Sequence, residues 1–308
     1  MFALVAGEGA LPGVLIRRLE AEGRPFRYCE MEGHSSDARG DRPMMRFRVE
    51  TLGSFINDLR SVGVDQICFA GRVARPRLDP SAIDSATMPL VPRMMAALQA
   101  GDDGALRLVL GFFEEAGIEI IAAHDLAPDL IPDAGAHGIV KPSDQDKRDA
   151  DRGVEIIGAM AKVDVGQACI VAGGQALAIE AAGGTDWMMR SLMVRPKGVG
   201  HKALTNDNAW DDPIGLAADW LTGTGEGAPG VDRVRDPDLP QGGLLVKAAK
   251  PGQDRRVDMP TIGPLTFLRA AEVGLRGVVI EAGGVMVLEF DRCVEIADRQ
   301  NLLFWVRE

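Results

Sequence analysis

The chain is poor in the residues that announce a familiar chemistry. Its four cysteines, Cys29, Cys68, Cys169 and Cys293, stand far apart with no C-x-x-C pair. That spacing writes neither a disulfide framework nor a zinc knuckle and favours a reducing compartment. The four histidines, His34, His124, His137 and His201, have no metal-ligand spacing between them. No H-E-x-x-H, G-x-S-x-G or P-loop occurs, nor the D-x-H, N-H-D and G-H-x-H set of a calcineurin-like dinuclear site. Positive charge is outnumbered: 34 Lys and Arg stand against 45 Asp and Glu, and the formal net charge is -11. That balance opposes a broad nucleic-acid surface, which needs clustered Lys and Arg, but leaves room for a small anionic ligand held by local basic groups. The opening Met1-Phe2-Ala3-Leu4-Val5-Ala6 has no basic start and becomes glycine-rich too soon for a signal peptide or a membrane span. It reads as a first β-strand, and the expectation is a cytoplasmic protein.

What is present is globular. With 308 residues, 46% hydrophobic and 26% charged, the chain is long enough for two packed cores. The first half alternates short apolar runs with helical periods. A strand at 2–6 leads through a glycine turn to a helix carrying Val14, Leu15, Arg18 and Leu19, stopped by Gly23. A strand at 26–31, a helix with Leu52, Phe55, Ile56 and Leu59, a strand at 66–70, a helix with Leu106, Val109, Leu110 and Phe113, and a strand at 118–122 follow. This β-α-β-α-β-α-β series demands a mainly parallel, Rossmann-like sheet with right-handed crossovers.

Residues 1–135 are expected to form that α/β nucleotide-binding domain, 136–146 a linker, and 147–308 an α+β catalytic domain. In the second domain a helix is expected at 149–161. Hairpins are expected around Gly173-Gly174 and around Gly283-Gly284, the latter joining strands at 278–281 and 285–289. An aperiodic excursion at about 196–243 reads as an inserted loop.

Four segments carry candidate chemistry. Gly7-Glu8-Gly9-Ala10-Leu11-Pro12-Gly13 lies where strand one turns into helix one. Glycines there let backbone N–H groups approach a phosphate, although the spacing is not G-x-G-x-x-G and Pro12 removes a donor, so a plain tight turn is an equal reading. Gly71-Arg72-Val73-Ala74-Arg75-Pro76 follows another strand's carboxyl end, where Arg72 and Arg75 could clamp a phosphate or merely be solvated. Gly183-Gly184-Thr185-Asp186 precedes a short helix and either caps it or presents donors to a ligand. The stretch 245–264 is densest, placing Lys247, Lys250, Asp254, Arg255, Arg256 and Asp258 close together. Mixed signs at that density suit a diphosphate, with cations on its oxygens and a carboxylate on a divalent ion. The bland alternative is a polar loop before a helix starting near Thr261, with Asp258 capping it. Gln167 could read a sugar or base edge or be an ordinary surface residue. A dinucleotide-dependent oxidoreductase, with Glu30 or Glu32 as its ribose-binding acid, is disfavoured by the glycine spacing.

Together these segments resemble one family nearly end to end, the LpxI-type UDP-2,3-diacylglucosamine diphosphatases of lipid A synthesis. The resemblance is carried by Ala6-Gly7-Glu8-Gly9-Ala10-Leu11-Pro12, Phe69-Ala70-Gly71-Arg72-Val73, Gly101-Asp102-Asp103, Ala122-Ala123-His124-Asp125 and Asp164-Val165-Gly166-Gln167. Lys247-Ala248-Ala249-Lys250-Pro251-Gly252-Gln253-Asp254, Arg256-Val257-Asp258-Met259-Pro260-Thr261 and Glu281-Ala282-Gly283-Gly284 complete it. It implies hydrolysis of UDP-2,3-diacylglucosamine to UMP and 2,3-diacylglucosamine 1-phosphate in a cleft between two domains. Magnesium, or manganese in its place, is the implied cofactor. Carried over motif by motif, Asp258 is the implied metal ligand and principal catalytic residue, with Lys247, Lys250 and Arg256 beside it. Substrate binding falls to Gly7, Gly9, Ala10, Leu11, Pro12, Gly71, Arg72, Arg75, Gln167, Thr185, Asp186, Gln253 and Thr261. A bacterium of the Gram-negative type, a cytoplasmic location and transient contact with the inner-membrane surface go with that substrate. A non-catalytic sugar-nucleotide binding protein is the alternative, and the oligomeric state is left open.

Overall fold

The computed structural model describes residues 1–73, 78–98, 102–194 and 233–308. Arg75, Pro76, Gly101 and most of the 196–243 excursion lie outside the described residues, as do the side chains of Asp102 and Asp103.

The first half runs β1 (Phe2–Ala6), α1 (Leu11–Ala21), β2 (Phe26–Met31), β3 (Met44–Phe47), α2 (Leu52–Ser61), β4 (Gln66–Ala70), α3 (Val91–Leu98), α4 (Asp102–Glu115), β5 (Glu119–Ile120) and α5 (Ala123–Leu126). Its five strands are all parallel, in the order β3-β2-β1-β4-β5. Every residue of β1 is buried, as a central strand covered on both faces must be. Phe2, Leu4 and Ala6 pack with Leu15, Ile16 and Leu19 of α1, while Ala3 and Val5 face Phe55 and Leu59 of α2 and Leu110 and Phe113 of α4. Helix α1 starts with Pro12 in its first turn and stops where Gly23 takes φ +62°, a conformation that only glycine adopts without cost.

Strand β3 was not expected from the sequence. Its four residues, Met-Met-Arg-Phe, include only one that is fully buried, so no periodicity marks it; pairing of Tyr28 with Met44 through Met31 with Phe47 creates it.

The second half contains β6 (Gly135–His137), α6 (Asp144–Ala161), β7 (Ala168–Ala172), β8 (Gln175–Ile179), α7 (Gly184–Arg190), β9 (Met193–Val194), β10 (Val234–Arg235), β11 (Leu244–Lys247), β12 (Thr261–Ile262), α8 (Pro264–Glu272), β13 (Gly277–Glu281), β14 (Met286–Val287), α9 (Phe290–Arg299) and β15 (Leu303–Arg307). Its main sheet has the order β6-β15-β13-β11-β7-β8 and mixed direction. Helices α7, α8 and α9 share one apolar cluster with this sheet, and α6 packs in another. Strand β6 falls where the connection between domains was expected, at the edge beside β15.

Helix α6 begins at Asp144 rather than near 149. The charged run is helical because Ser143 caps it: its Oγ accepts the Asp146 N–H at 3.2 Å, and Asp146 Oδ2 accepts the Ser143 N–H at 2.8 Å. Such reciprocal caps are worth about 1 kcal/mol. The β7–β8 hairpin forms as expected, with Gly173 and Gly174 at φ +58° and +81°, the left-handed pair a two-residue turn requires.

The second expected hairpin is absent. Strand β13 instead pairs in parallel with β11 and β15, and β14 pairs in parallel with β12. Both strands are almost wholly buried, so partners on other elements outcompete the sequence neighbour. The helix expected near Thr261 starts a little later: Thr261 opens β12, and α8 begins at Pro264.

Strands β12 and β14 sit at the junction of the halves. Met259, Met286 and Leu288 belong to the same apolar cluster as Leu15, Leu19 and Leu126 of the first half. Among the described residues no helix is long and apolar enough to cross a membrane.

Candidate functional site

In an open parallel sheet, ligands collect beyond the strands' carboxyl ends, where the connections diverge. Here that point lies between β1 and β4. The loops leaving these strands touch: Glu8 N–H donates to Arg72 O and Arg72 N–H to Glu8 O, both at 2.9 Å. The approach needs two glycines. A Cβ on Gly7 would stand 2.5 Å from Arg72 O, and one on Gly71, whose φ is +91°, would stand 2.7 Å from Glu8 O. The glycine loop therefore spends two of its amides on protein, Gly7 N–H on Ala70 O and Glu8 N–H on Arg72 O. Among the described residues, the amides of Gly9 and Ala10 take no protein acceptor.

Above this point a cavity of about 1010 Å³ opens between the halves of the molecule. It has two chemically distinct regions. At one end Gly9, Ala10, Leu11, Gly71 and Arg72 of the first half meet Gln167, Lys247, Lys250, Asp258 and Thr261 of the second. The other region is an apolar slot over the sheet, walled by Leu52, Met94, Leu106, Val109, Leu110 and Phe113.

Asp258 is half-buried on the cavity wall; its backbone N–H donates to Asp254 O at 3.0 Å. Among the described residues its carboxylate accepts no hydrogen bond and forms no ion pair, whereas the nearby Asp254 is fully engaged. Capping of a helix is thus not its role. Lys247, at the end of β11, is buried, and its Nζ donates to the Thr185 hydroxyl at 3.0 Å. Burial pushes its pKa down, against the opposing charges of Glu180, Asp186 and Asp258. Lys250 pairs with Asp164, a residue at φ +52° that also lines the cavity.

The remaining expected residues divide into wall and support. Gln167 and Thr261 line the cavity, but Gln253 is buried behind it, donating to Gln167 Oε1 at 3.1 Å and accepting the Lys250 N–H at 3.0 Å. Thr185 stands behind Lys247, and its hydroxyl donates to Glu180. Asp186 is in the first turn of α7, with its carboxylate 3.9 Å from Arg190. Pro12 is buried in the first turn of α1. Arg256 reaches the cavity wall, yet its guanidinium donates to both oxygens of Asp254, at 2.9 and 2.7 Å, and to Glu114 of α4. These bonds, Asp254 first, hold its pKa above the ordinary guanidinium value.

The sequence did not mark Glu180, Asp164, Glu114 or the residues that wall the apolar slot. Asp164 stood inside a quoted motif without a role, and Glu180 had a faint signal as an acid closing an otherwise apolar strand. Glu114 had none, because its partner is 142 residues away. All four cysteines are buried, and burial pushes each thiol up to about 12, so none is a nucleophile at neutral pH.

For a divalent ion the donor set is small. Among the described residues no group of three or more His, Cys, Asp and Glu converges. Magnesium commonly takes one or two protein carboxylates and completes its shell with phosphate oxygens and water, so the carboxylate of Asp258, without a hydrogen-bond partner among the described residues, fits an ion carried in with a phosphorylated ligand.

A parallel sheet with a glycine loop at its switch point, facing Lys247 and Lys250 of the second half across a cleft, defines an α/β protein with its candidate site between two halves. Residues 1–130 match the LpxI N-terminal domain, and residues 133–207 and 216–305 match the LpxI C-terminal domain. The chain belongs to the LpxI family. It is 32% identical over 299 residues, 97% of this chain and 94% of the relative, to a Caulobacter vibrioides protein named UDP-2,3-diacylglucosamine pyrophosphatase LpxI.

Proposed function

We propose that this protein hydrolyses the diphosphate of UDP-2,3-diacylglucosamine, releasing UMP and 2,3-diacylglucosamine 1-phosphate. The observation that carries this reading is one cavity whose wall holds the buried cation Lys247, the carboxylate of Asp258, unpaired among the described residues, and the apolar side chains of Leu52, Met94, Val109 and Phe113. A ligand filling it must be amphiphilic, with an anionic middle and hydrocarbon at one end. The curated relative's name specifies such a molecule.

In this reading the amides of Gly9 and Ala10 and the start of α1 receive a nucleotide phosphate. Lys247 has three N–H donors and spends one on Thr185, so the others serve phosphoryl oxygens. Lys250 and Arg72 add positive charge along the same wall, where donors held in place beforehand stabilise charge that builds on the leaving phosphate. Arg256 acts differently from the role first read for it: with three carboxylate contacts from two acids, it joins the halves that enclose the substrate.

Asp258 would hold magnesium together with phosphate oxygens, or orient the attacking water. When bound, the ion would neutralise diphosphate charge and polarise the phosphorus–oxygen bond. Water attacks the phosphorus next to the sugar, its oxygen bonds to that phosphorus, the bridging P–O bond breaks, and UMP departs. The acyl chains occupy the slot under α3 and α4, and their membrane origin implies brief contact of a cytoplasmic protein with the inner-membrane surface.

Turnover in oxygen-18 water tests the direction of attack. Mass spectrometry should find the label in the sugar 1-phosphate, and label in UMP would overturn that choice.

A further inference from the structure

Glu180 is a buried carboxylate for which the proposed chemistry has given no part. It follows β8 directly and is only 7% exposed. Its Oε2 accepts the N–H of Gln167 at 3.0 Å, and its Oε1 accepts the hydroxyl of Thr185. A hydroxyl has a single proton. With that proton given to Glu180, the Thr185 oxygen can only accept from Lys247 Nζ, which lies 3.0 Å away. The chain of donors therefore runs one way, from Lys247 to Thr185 to Glu180.

Such a chain is costly to keep in a core. Withdrawing an ammonium and a carboxylate from water is unfavourable, and apolar residues of similar volume would commonly pack as well or better. Its location supplies the reason: Glu180 touches, directly or through one hydroxyl, two residues of the polar cavity wall, Gln167 and Lys247. Its backbone is pressed against the same loop, since a Cβ on Gly166 would lie 2.3 Å from Glu180 O. The loop is in turn tied to the lysine-bearing segment by the Ala248 N–H, which donates to Gln167 O at 3.1 Å.

We propose that Glu180 is a positioning residue for the hydrolysis: through the Thr185 hydroxyl it fixes the ammonium of Lys247 at the cavity wall, so that the lysine's other N–H donors meet the phosphate. The proposal rests on the reading that Lys247 contacts the diphosphate. Without Glu180 or the hydroxyl, the ammonium is free to turn away, and errors of about 1 Å in such a donor cost roughly 100-fold in rate.

The test is steady-state turnover of UDP-2,3-diacylglucosamine with magnesium by the full chain, comparing wild type with Glu180→Gln, Thr185→Val, Thr185→Ser and the Glu180→Gln/Thr185→Val double variant. Glu180→Gln and Thr185→Val should each lower kcat about 10- to 100-fold while KM stays within about threefold. Thr185→Ser, which keeps the hydroxyl, should remain within about threefold of wild type. The double variant should be no worse than the poorer single one, because both cut the same chain. Wild-type kcat in either single variant, or losses that multiply in the double, would overturn the positioning role. If Glu180→Gln does not fold, the contrast between Thr185→Val and Thr185→Ser decides alone. A wild type that turns over nothing beside an active control enzyme overturns the hydrolase reading and this proposal with it, whereas an active wild type with an unimpaired Glu180→Gln overturns the positioning alone.

Discussion

Arg256 of the second half places Nη1 2.5 Å from Glu114 Oε1 on helix α4 of the first. Its Nη2 meanwhile lies 2.7 Å from Asp254 Oδ2. A second tie runs parallel to it, from the Arg107 guanidinium of α4 to the carbonyl of Gly252. The loop that carries Asp258 is thereby anchored to the helix that walls the apolar slot.

The Arg256–Glu114 pair is 41% and 46% exposed, so its contribution to global stability is small, about 0 to 1 kcal/mol. Its effect should appear in substrate capture instead. Glu114→Gln is expected to shift the melting temperature by no more than about 4 °C while raising KM about threefold and leaving kcat within about twofold. Thermal unfolding and steady-state kinetics check this. A kcat loss as large as that from replacing Asp258 would contradict the structural role given to the pair.

Asp254 supplies a pH dependence whose sign follows from its partner. The hydrogen bonds from Arg256 hold its carboxyl below the ordinary carboxylate range in the folded protein. A group whose pKa is lowered on folding stabilises the fold above its unfolded pKa, and that stability is lost as pH falls through the lowered value. Asp254→Asn should therefore be less stable than wild type at neutral pH, and the difference should shrink on acidification. Melting temperatures measured from about pH 7 to about pH 2 test it, and a gap that widens towards acid would contradict the assignment.

Much of the first half is legible in the sequence because its elements report their own burial. The apolar run of β1, the i, i+3, i+4, i+7 spacing of Leu52, Phe55, Ile56 and Leu59, and the stop at Gly23 are local signals. The same holds for the hairpin at Gly173-Gly174, where both glycines are required by the turn. Strand β3 and the true partners of β13 and β14 were hidden, since remote pairing defines them. In the site, the density of charge around Lys247 to Asp258 was visible, but the division of labour was not. The family resemblance sets Asp258 apart from Asp254, but Arg256 could not be told from Lys247 until Glu114 appeared opposite the arginine. Glu180 escaped for the same reason, because the Lys247–Thr185 bond that gives it a part spans 62 residues.

The apolar slot makes an expectation about chain length. Val109 lies on its wall, and each buried methylene contributes about 0.8 kcal/mol to binding. Val109→Trp should fill the slot, raising KM for the long-chain diacyl substrate at least about tenfold while changing it little for an analogue with two-carbon acyl groups. Kinetics with the two substrates side by side measure this. Equal losses for both would place the acyl chains elsewhere.

Asp258 carries the central claim, and phosphorus-31 NMR of the protein with UDP-2,3-diacylglucosamine and magnesium tests it most directly. The wild type should convert the paired diphosphate signals into those of UMP and the sugar 1-phosphate, while Asp258→Ala, folded and still binding substrate, should lose at least about 1,000-fold in rate. Persistent diphosphate with the wild type beside an active control would contradict the hydrolase reading, and conversion at the wild-type rate by Asp258→Ala would contradict the placement of the chemistry at that carboxylate.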